Sequence, residues 1–121
     1  MFAVSVEGTF SAVHRLRLDD GTVEPMHGHD WAVRAWFAAA GLDSSGMVID
    51  FHQAQAVLRG VMEQLHHTDL NTNPALAGIN PTAEAVARFL LEQIRARGLA
   101  QIRRVEVTEA PGCTAAFEAN G

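Results

Sequence analysis

An α+β fold, with two strands, two helices and two further strands in chain order, follows from three features of the sequence. Rows of alternating apolar residues occupy the N-terminal third, two stripes of helical spacing fill the middle, and a shorter alternating row lies near the C-terminus. The grouping predicts a four-stranded antiparallel sheet with both helices on one face.

The first row is Phe2, Val4, Val6, Gly8, Phe10, Ala12 and His14, the pattern of a half-buried strand interrupted near Gly8. A polar turn at Asp19, Asp20 and Gly21 leads to a second row, His27, His29, Trp31, Val33, Ala35 and Phe37. After a loop at Gly41 to Gly46, Asp50 precedes Phe51, Ala54, Leu58, Val61, Met62 and Leu65, whose spacing is helical. The polar stretch HHTDLNTNP follows, and Asn80 with Pro81 offers an N-cap and first-turn proline for a second helix through about Arg97, stopped by Gly98. Val105, Val107 and Glu109 form a third strand, and beyond the Pro111-Gly112 turn a fourth runs through Ala116 to Glu118. Trp31, Phe37, Phe51 and Phe89 each fall in an apolar row and read as core.

Composition narrows the partners. The chain of 121 residues reads as one domain, 1–121, with 48% hydrophobic and 19% charged residues, an ordinary globular balance. The formal charge is −5 and all nine cations are arginine, so no dense basic field offers itself to a nucleic acid backbone. The N-terminus lacks the pattern of a signal peptide, and no apolar run approaches the ~20 residues of a membrane span. With Cys113 as the single cysteine, no internal disulfide forms, and a reducing, cytoplasmic setting is expected. A sheet of four strands leaves exposed edges, which favours self-association.

His27 and His29 are one residue apart, so on a strand their imidazoles leave the same face. His14 ends the preceding strand, and a hairpin between the two would bring it beside them. Three neutral imidazoles suit zinc and leave a fourth position open, the arrangement of a catalytic rather than structural ion. Surface or hydrogen-bonded histidines are the alternative for an isolated His-x-His.

The blocks FSAVH at 10–14, HGH at 27–29, SGMVIDF at 45–51, HTDLN at 67–71, NPTAE at 80–84 and VEVTEA at 105–110 occur in order. Together they resemble the 6-pyruvoyl-tetrahydropterin synthase and 6-carboxytetrahydropterin synthase family. The resemblance implies a T-fold, hexamers built as two stacked trimers, an active site at a subunit boundary, and Zn2+ held by His14, His27 and His29. It implies a pterin substrate, 7,8-dihydroneopterin triphosphate or a close relative, with Glu109 accepting two N–H groups from the ring. Thr82 stands where its hydroxyl could contact the pterin or cap the helix. For Glu109 the alternative is an ion pair with an arginine.

Two positions depart from the family pattern. Val23 stands where cysteine-containing members carry their catalytic thiol, and His66 stands at the family's aspartate position, with His67 retained. Cys113, in the turn between the last strands, matches no catalytic position. Glu24 lies three residues before His27, the ExxHGH spacing of the branch called type III, in which a glutamate takes over and the side chain is cleaved to leave 6-hydroxymethyl-7,8-dihydropterin. On that resemblance the chain is a zinc-dependent lyase with Glu24, His67 and Asp69 as candidate catalytic residues. Glu24 also reads as a solvated turn residue, and His66 as a second base, a partner of His67 or a helix-terminal cation. Two other readings stay open: a 6-carboxytetrahydropterin synthase of queuosine biosynthesis, and a homologue that binds zinc and pterin without turnover.

Overall fold

The computed structural model describes residues 1–120. Alternation carries β1 (Phe2–His14) and β2 (His27–Ala39) through 13 residues each, paired antiparallel from Phe2 opposite Ala39 to His14 opposite His27. The even residues of β1 and the odd residues of β2 turn inward, burying Val6, Phe10, Trp31, Val33, Ala35 and Phe37. β1 is not interrupted at Gly8, which pairs with Val33 in unbroken register. A Cβ at Gly8 would collide with Met62 Cε, so the glycine makes room for a helix side chain rather than ending the strand.

Helix α1 (Phe51–Glu63) lies on β1, and α2 (Ala83–Ala96) lies on β4 (Ile102–Ala110) and β5 (Cys113–Glu118). Both helices bury their apolar stripes, Ala54, Leu58, Val61 and Met62 from α1 and Val86, Ala87, Leu90, Leu91 and Ile94 from α2, in one core with the inward sheet residues. Phe51 departs from the core reading: it opens α1, where the stripe has not yet reached the sheet, and is 52% exposed. Phe89 is partly buried against the core.

The sheet has five strands, not four, in the order β3-β1-β2-β4-β5. The additional strand, β3 (Thr68–Asp69), pairs parallel with Ala12 and Val13 of β1. A strand of two residues has no alternation to read, so the HHTDLNTNP stretch looked like loop. The second helix also starts later than expected, because Thr82, not Asn80, is the N-cap, its hydroxyl accepting the Ala85 N–H at 3.1 Å. The Asn80 amide is engaged elsewhere, accepting the Arg17 N–H at 2.9 Å and donating to the Arg17 carbonyl at 3.0 Å. Among the described residues no helix is long and apolar enough to cross a membrane.

Asp50 caps α1, its carboxylate accepting the His52 N–H at 2.8 Å. Asp50→Ala is therefore expected to lower unfolding free energy by about 1 kcal/mol, with Asp50→Ser retaining most of it. Urea denaturation of the two variants checks this, and equal losses in both would assign Asp50 a role other than capping.

Candidate metal centre and neighbouring cavities

The hairpin register sets His14 opposite His27, and the parity of β2 sends His29 to the same side. The three rings meet edge to face, with centroids 4.6 Å apart for His14 and His27, 5.3 Å for His14 and His29, and 4.8 Å for His27 and His29. Trp31, fully buried on the same row, forms the floor, 4.8 Å from His14 and 5.6 Å from His29 between centroids. Glu109 comes from β4, one inward position beyond Val107. Its Oε1 lies 2.9 Å from His14 Nε2 and 3.8 Å from His29 Nε2. One donor atom from each of His14, His27, His29 and Glu109 lies within 4.8 Å of every other.

His14 is fully buried, and its Nδ1 lies 2.8 Å from the Pro81 carbonyl, which accepts only, so Nδ1 carries a proton and, in the neutral ring, Nε2 holds the lone pair. His27 Nδ1 faces the Pro25 carbonyl at 2.9 Å, with the same consequence. In the neutral ring that metal ligation requires, the 2.9 Å approach of His14 Nε2 to the Glu109 carboxylate brings two acceptors together, and Nε2 of both His14 and His29 is buried without a hydrogen-bond partner. Buried acceptors facing one another are stabilised by a cation between them. Burial pushes the His29 imidazole below its ordinary value; the Glu109 carboxylate opposes that shift, while His14 and His27 add to it. The neutral imidazole is the form that ligates metal. These residues could hold a metal ion.

Glu24 lies beside this cluster, on the His27 side. Its Oε1 accepts the Leu16 N–H at 3.0 Å and stands 3.6 Å from His27 Nε2, and its own N–H donates to the Leu16 carbonyl at 3.1 Å. It is thus fixed against the strand leaving His14, not a freely solvated turn residue. The arginine ion pair considered for Glu109 does not form among the described residues, where its close side-chain neighbours are the imidazoles of His14 and His29.

His67 and Asp69 sit to one side. With Ser11, Gly28, His29 and Asp30 they line a cavity of about 520 Å³, so they share a wall with the imidazole cluster through His29. Asp69 Oδ1 accepts the Asn71 N–H at 2.9 Å, and among the described residues no hydrogen bond joins it to His67. Thr82 uses its hydroxyl as the α2 cap, yet the first turn it opens reaches the other side of the cluster, where Ala83, Glu84, Glu109 and Cys113 line a cavity of about 340 Å³. Cys113, passed over in the sequence as a distal turn residue, is an exposed thiol on the Glu109 side of the site. Only the pairing of Ala110 with Cys113 across the turn revealed this, and nothing in the sequence fixed it.

Comparison with known proteins agrees with this architecture. The profile of the 6-pyruvoyl tetrahydropterin synthase family matches residues 3–120. A 6-carboxy-5,6,7,8-tetrahydropterin synthase of Synechocystis sp. is 31% identical over 121 residues, covering 96% of this chain and 91% of that protein. A dihydroneopterin monophosphate aldolase of Pyrococcus furiosus is 29% identical over 103 residues, 84% of this chain and 83% of that protein. Among solved structures, the Caenorhabditis elegans 6-pyruvoyl tetrahydropterin synthase superposes with a TM-score of 0.82 at 20% identity, covering 99% of this chain and 98% of that one. A Plasmodium vivax 6-pyruvoyltetrahydropterin synthase, solved as a cysteine variant of a glutamate described as its catalytic residue, gives 0.75 at 18% identity, with 98% of each chain covered. The five-stranded sheet with its two helices has the T-fold of these structures, and a match running from residue 3 to residue 120 leaves one conclusion: this chain belongs to the 6-pyruvoyl tetrahydropterin synthase family.

Proposed function

We propose that this chain is a zinc-dependent pterin lyase that cleaves the side chain of 7,8-dihydroneopterin triphosphate or a close relative, leaving 6-hydroxymethyl-7,8-dihydropterin. The observation that carries the reading is the Glu24 carboxylate, 3.6 Å from His27 Nε2, in a chain whose neighbouring residue is Val23 rather than a thiol. A relative named as a dihydroneopterin monophosphate aldolase and a structural neighbour with a glutamate described as its catalytic residue support the same choice.

His14, His27 and His29 would hold the ion, with the Pro81 and Pro25 carbonyls fixing the tautomers of the first two. Zinc, when bound, supplies Lewis-acid polarisation of the substrate's side-chain oxygens. Glu109 accepts the ring's N–H groups and orients the pterin. Thr82 and the first turn of α2 border that pocket. Glu24 takes the proton from the second side-chain hydroxyl as the bond between the first and second side-chain carbons breaks. The electron pair passes to the carbon attached to the ring and into the ring imine, a proton returns to that carbon, and the two-carbon phosphorylated aldehyde departs. His67, with Asp69 beside it, serves the proton return from the adjoining cavity. No oxidant or reductant is required.

A second reading, 6-carboxytetrahydropterin synthase in queuosine biosynthesis, is favoured by the Synechocystis relative. Chromatography of the products formed by zinc-loaded protein from dihydroneopterin triphosphate separates the two, and an absence of any product leaves the binding-only homologue. The assembly we propose is a cytoplasmic hexamer, two stacked trimers, supported by the outer edge of β5, which among the described residues pairs with no further strand.

Replacing His27 or His29 by alanine should abolish stoichiometric zinc by elemental analysis, and full retention in both would remove the metal from this site. Glu109→Gln should weaken pterin binding by ~1–3 kcal/mol in calorimetry while zinc content is unchanged, because an acceptor becomes a donor facing N–H groups. Loss of zinc in that variant would make Glu109 a fourth ligand instead. Glu24→Gln should leave zinc and pterin binding intact and lower turnover by roughly 10²–10⁴-fold. Wild-type turnover in Glu24→Gln, with loss in His67→Ala or Asp69→Ala, would move the base to the HHTD turn.

A further inference from the structure

The turn between α1 and β3 carries two adjacent histidines whose arrangement the metal centre does not use. β3 pairs only with Ala12 and Val13, so the edge of β1 one residue earlier needs other partners. The chain is turning away at that point: His67 has φ 58°, a left-handed conformation that a residue with a Cβ rarely adopts and that recurs at functional positions. The His66 imidazole supplies the missing acceptor, its Nδ1 receiving the Ser11 N–H at 3.1 Å, while the His67 N–H donates to the Ser11 carbonyl at 2.6 Å. Both backbone groups of Ser11 are thereby held by the histidine pair.

The Ser11 bond selects one form of His66, with Nδ1 bare and the proton on Nε2. Against this anchored ring lies the His67 ring, 3.7 Å away between centroids with 27° between planes. His67 is exposed, and among the described residues no hydrogen bond engages its ring. Asp69, the nearest carboxylate in sequence, directs Oδ1 to Asn71 instead. Face contact with His66 is thus what orients the imidazole that borders the cavity of Ser11, His29, Asp30 and Asp69.

We propose that His66 is the positioning residue of His67: anchored on the Ser11 amide, it presents the face that holds the His67 imidazole, doing by stacking what a carboxylate partner does by hydrogen bonding. Its consequence for turnover rests on the reading of His67 as a proton carrier; its consequence for the ring does not.

Three full-length, zinc-loaded variants separate the parts. His66→Ala removes ring and acceptor, His66→Asn keeps an acceptor for Ser11 without the ring, and His66→Phe keeps a ring without the acceptor. Histidine-labelled protein reports the His67 Cε1–H resonance, assigned by its absence in His67→Ala. The resonance should move downfield in His66→Ala and His66→Asn as the ring current of the stack is lost, and least in His66→Phe. With dihydroneopterin triphosphate as substrate, kcat should fall about 10- to 100-fold in the first two variants, the usual cost of a misplaced catalytic group, with KM and zinc content unchanged. An unmoved resonance in His66→Ala overturns the proposal. Full recovery of resonance and kcat in His66→Asn also overturns it, by reducing His66 to a cap on the sheet edge. If His67→Ala keeps wild-type turnover, the proton-carrier reading fails, and the resonance alone decides whether His66 positions the ring.

Discussion

The hydrogen bond from His14 Nδ1 to the Pro81 carbonyl is the constraint on which the rest of the site depends. It ties the end of β1 to the residue just before the α2 cap, joining the two layers of the fold through one imidazole in a fully buried place. Because the carbonyl can only accept, the bond fixes a proton on Nδ1 and leaves Nε2 as the atom that faces His29 and Glu109, carrying the lone pair when the ring is neutral. A neutral ring with no donor in reach of its second nitrogen costs stability by itself, so the local fold is held in a form that a cation completes. The His14 ring meets Trp31 edge to face, 4.8 Å between centroids, so the buried indole packs against it from below.

The segment between α1 and α2 does more than connect them. Asn71 accepts the Arg15 N–H and donates to the Arg15 carbonyl, both at 2.8 Å, and Asn80 does the same to Arg17. His66 performs one half of this at Ser11. Side chains therefore continue the edge of β1 in both directions past the two residues of β3, satisfying backbone groups that an exposed edge would leave to water or to another strand. The arginine side chains themselves remain exposed, with their backbones as the held part.

This explains which parts of the structure could be read from residue order. Alternation extends through all of β1 and β2 because each has one face on the core, and the same parity places His27 and His29 together and carries Glu109 to the inward side of β4. Local chemistry was less informative where a side chain is recruited from far along the chain. Asn80 has every feature of a helix cap, but Arg17, 63 residues away, captures its amide and leaves the cap to Thr82. β3 was invisible for the same reason, since two residues show no period and its neighbours pair through side chains. Phe51 follows the helical stripe yet stays exposed, because periodicity gives a face and not how far along the helix the core extends.

The two positions that depart from the expected family pattern, Val23 and His66, are both tied to β1 and the chain leaving it, on its two opposite edges. Leu16 lies between Arg15 and Arg17, which the two asparagines hold, and its N–H is the group that fixes the Glu24 carboxylate. Glu24 thus takes its place from the chain leaving β1, while His67 takes its place from the turn that grips Ser11 on the same strand. A carboxylate on one side of the imidazole cluster and an imidazole on the other are both referenced to β1, the strand that also delivers His14. Glu24 and His67, the two groups we propose for proton transfer, lie in a loop and a turn, and these bonds to β1 and the chain leaving it are what hold each in place. At positions 23 and 66, where the family resemblance implies a thiol and an aspartate, this scaffold presents a valine and an imidazole instead, with Glu24 and His67 held beside them.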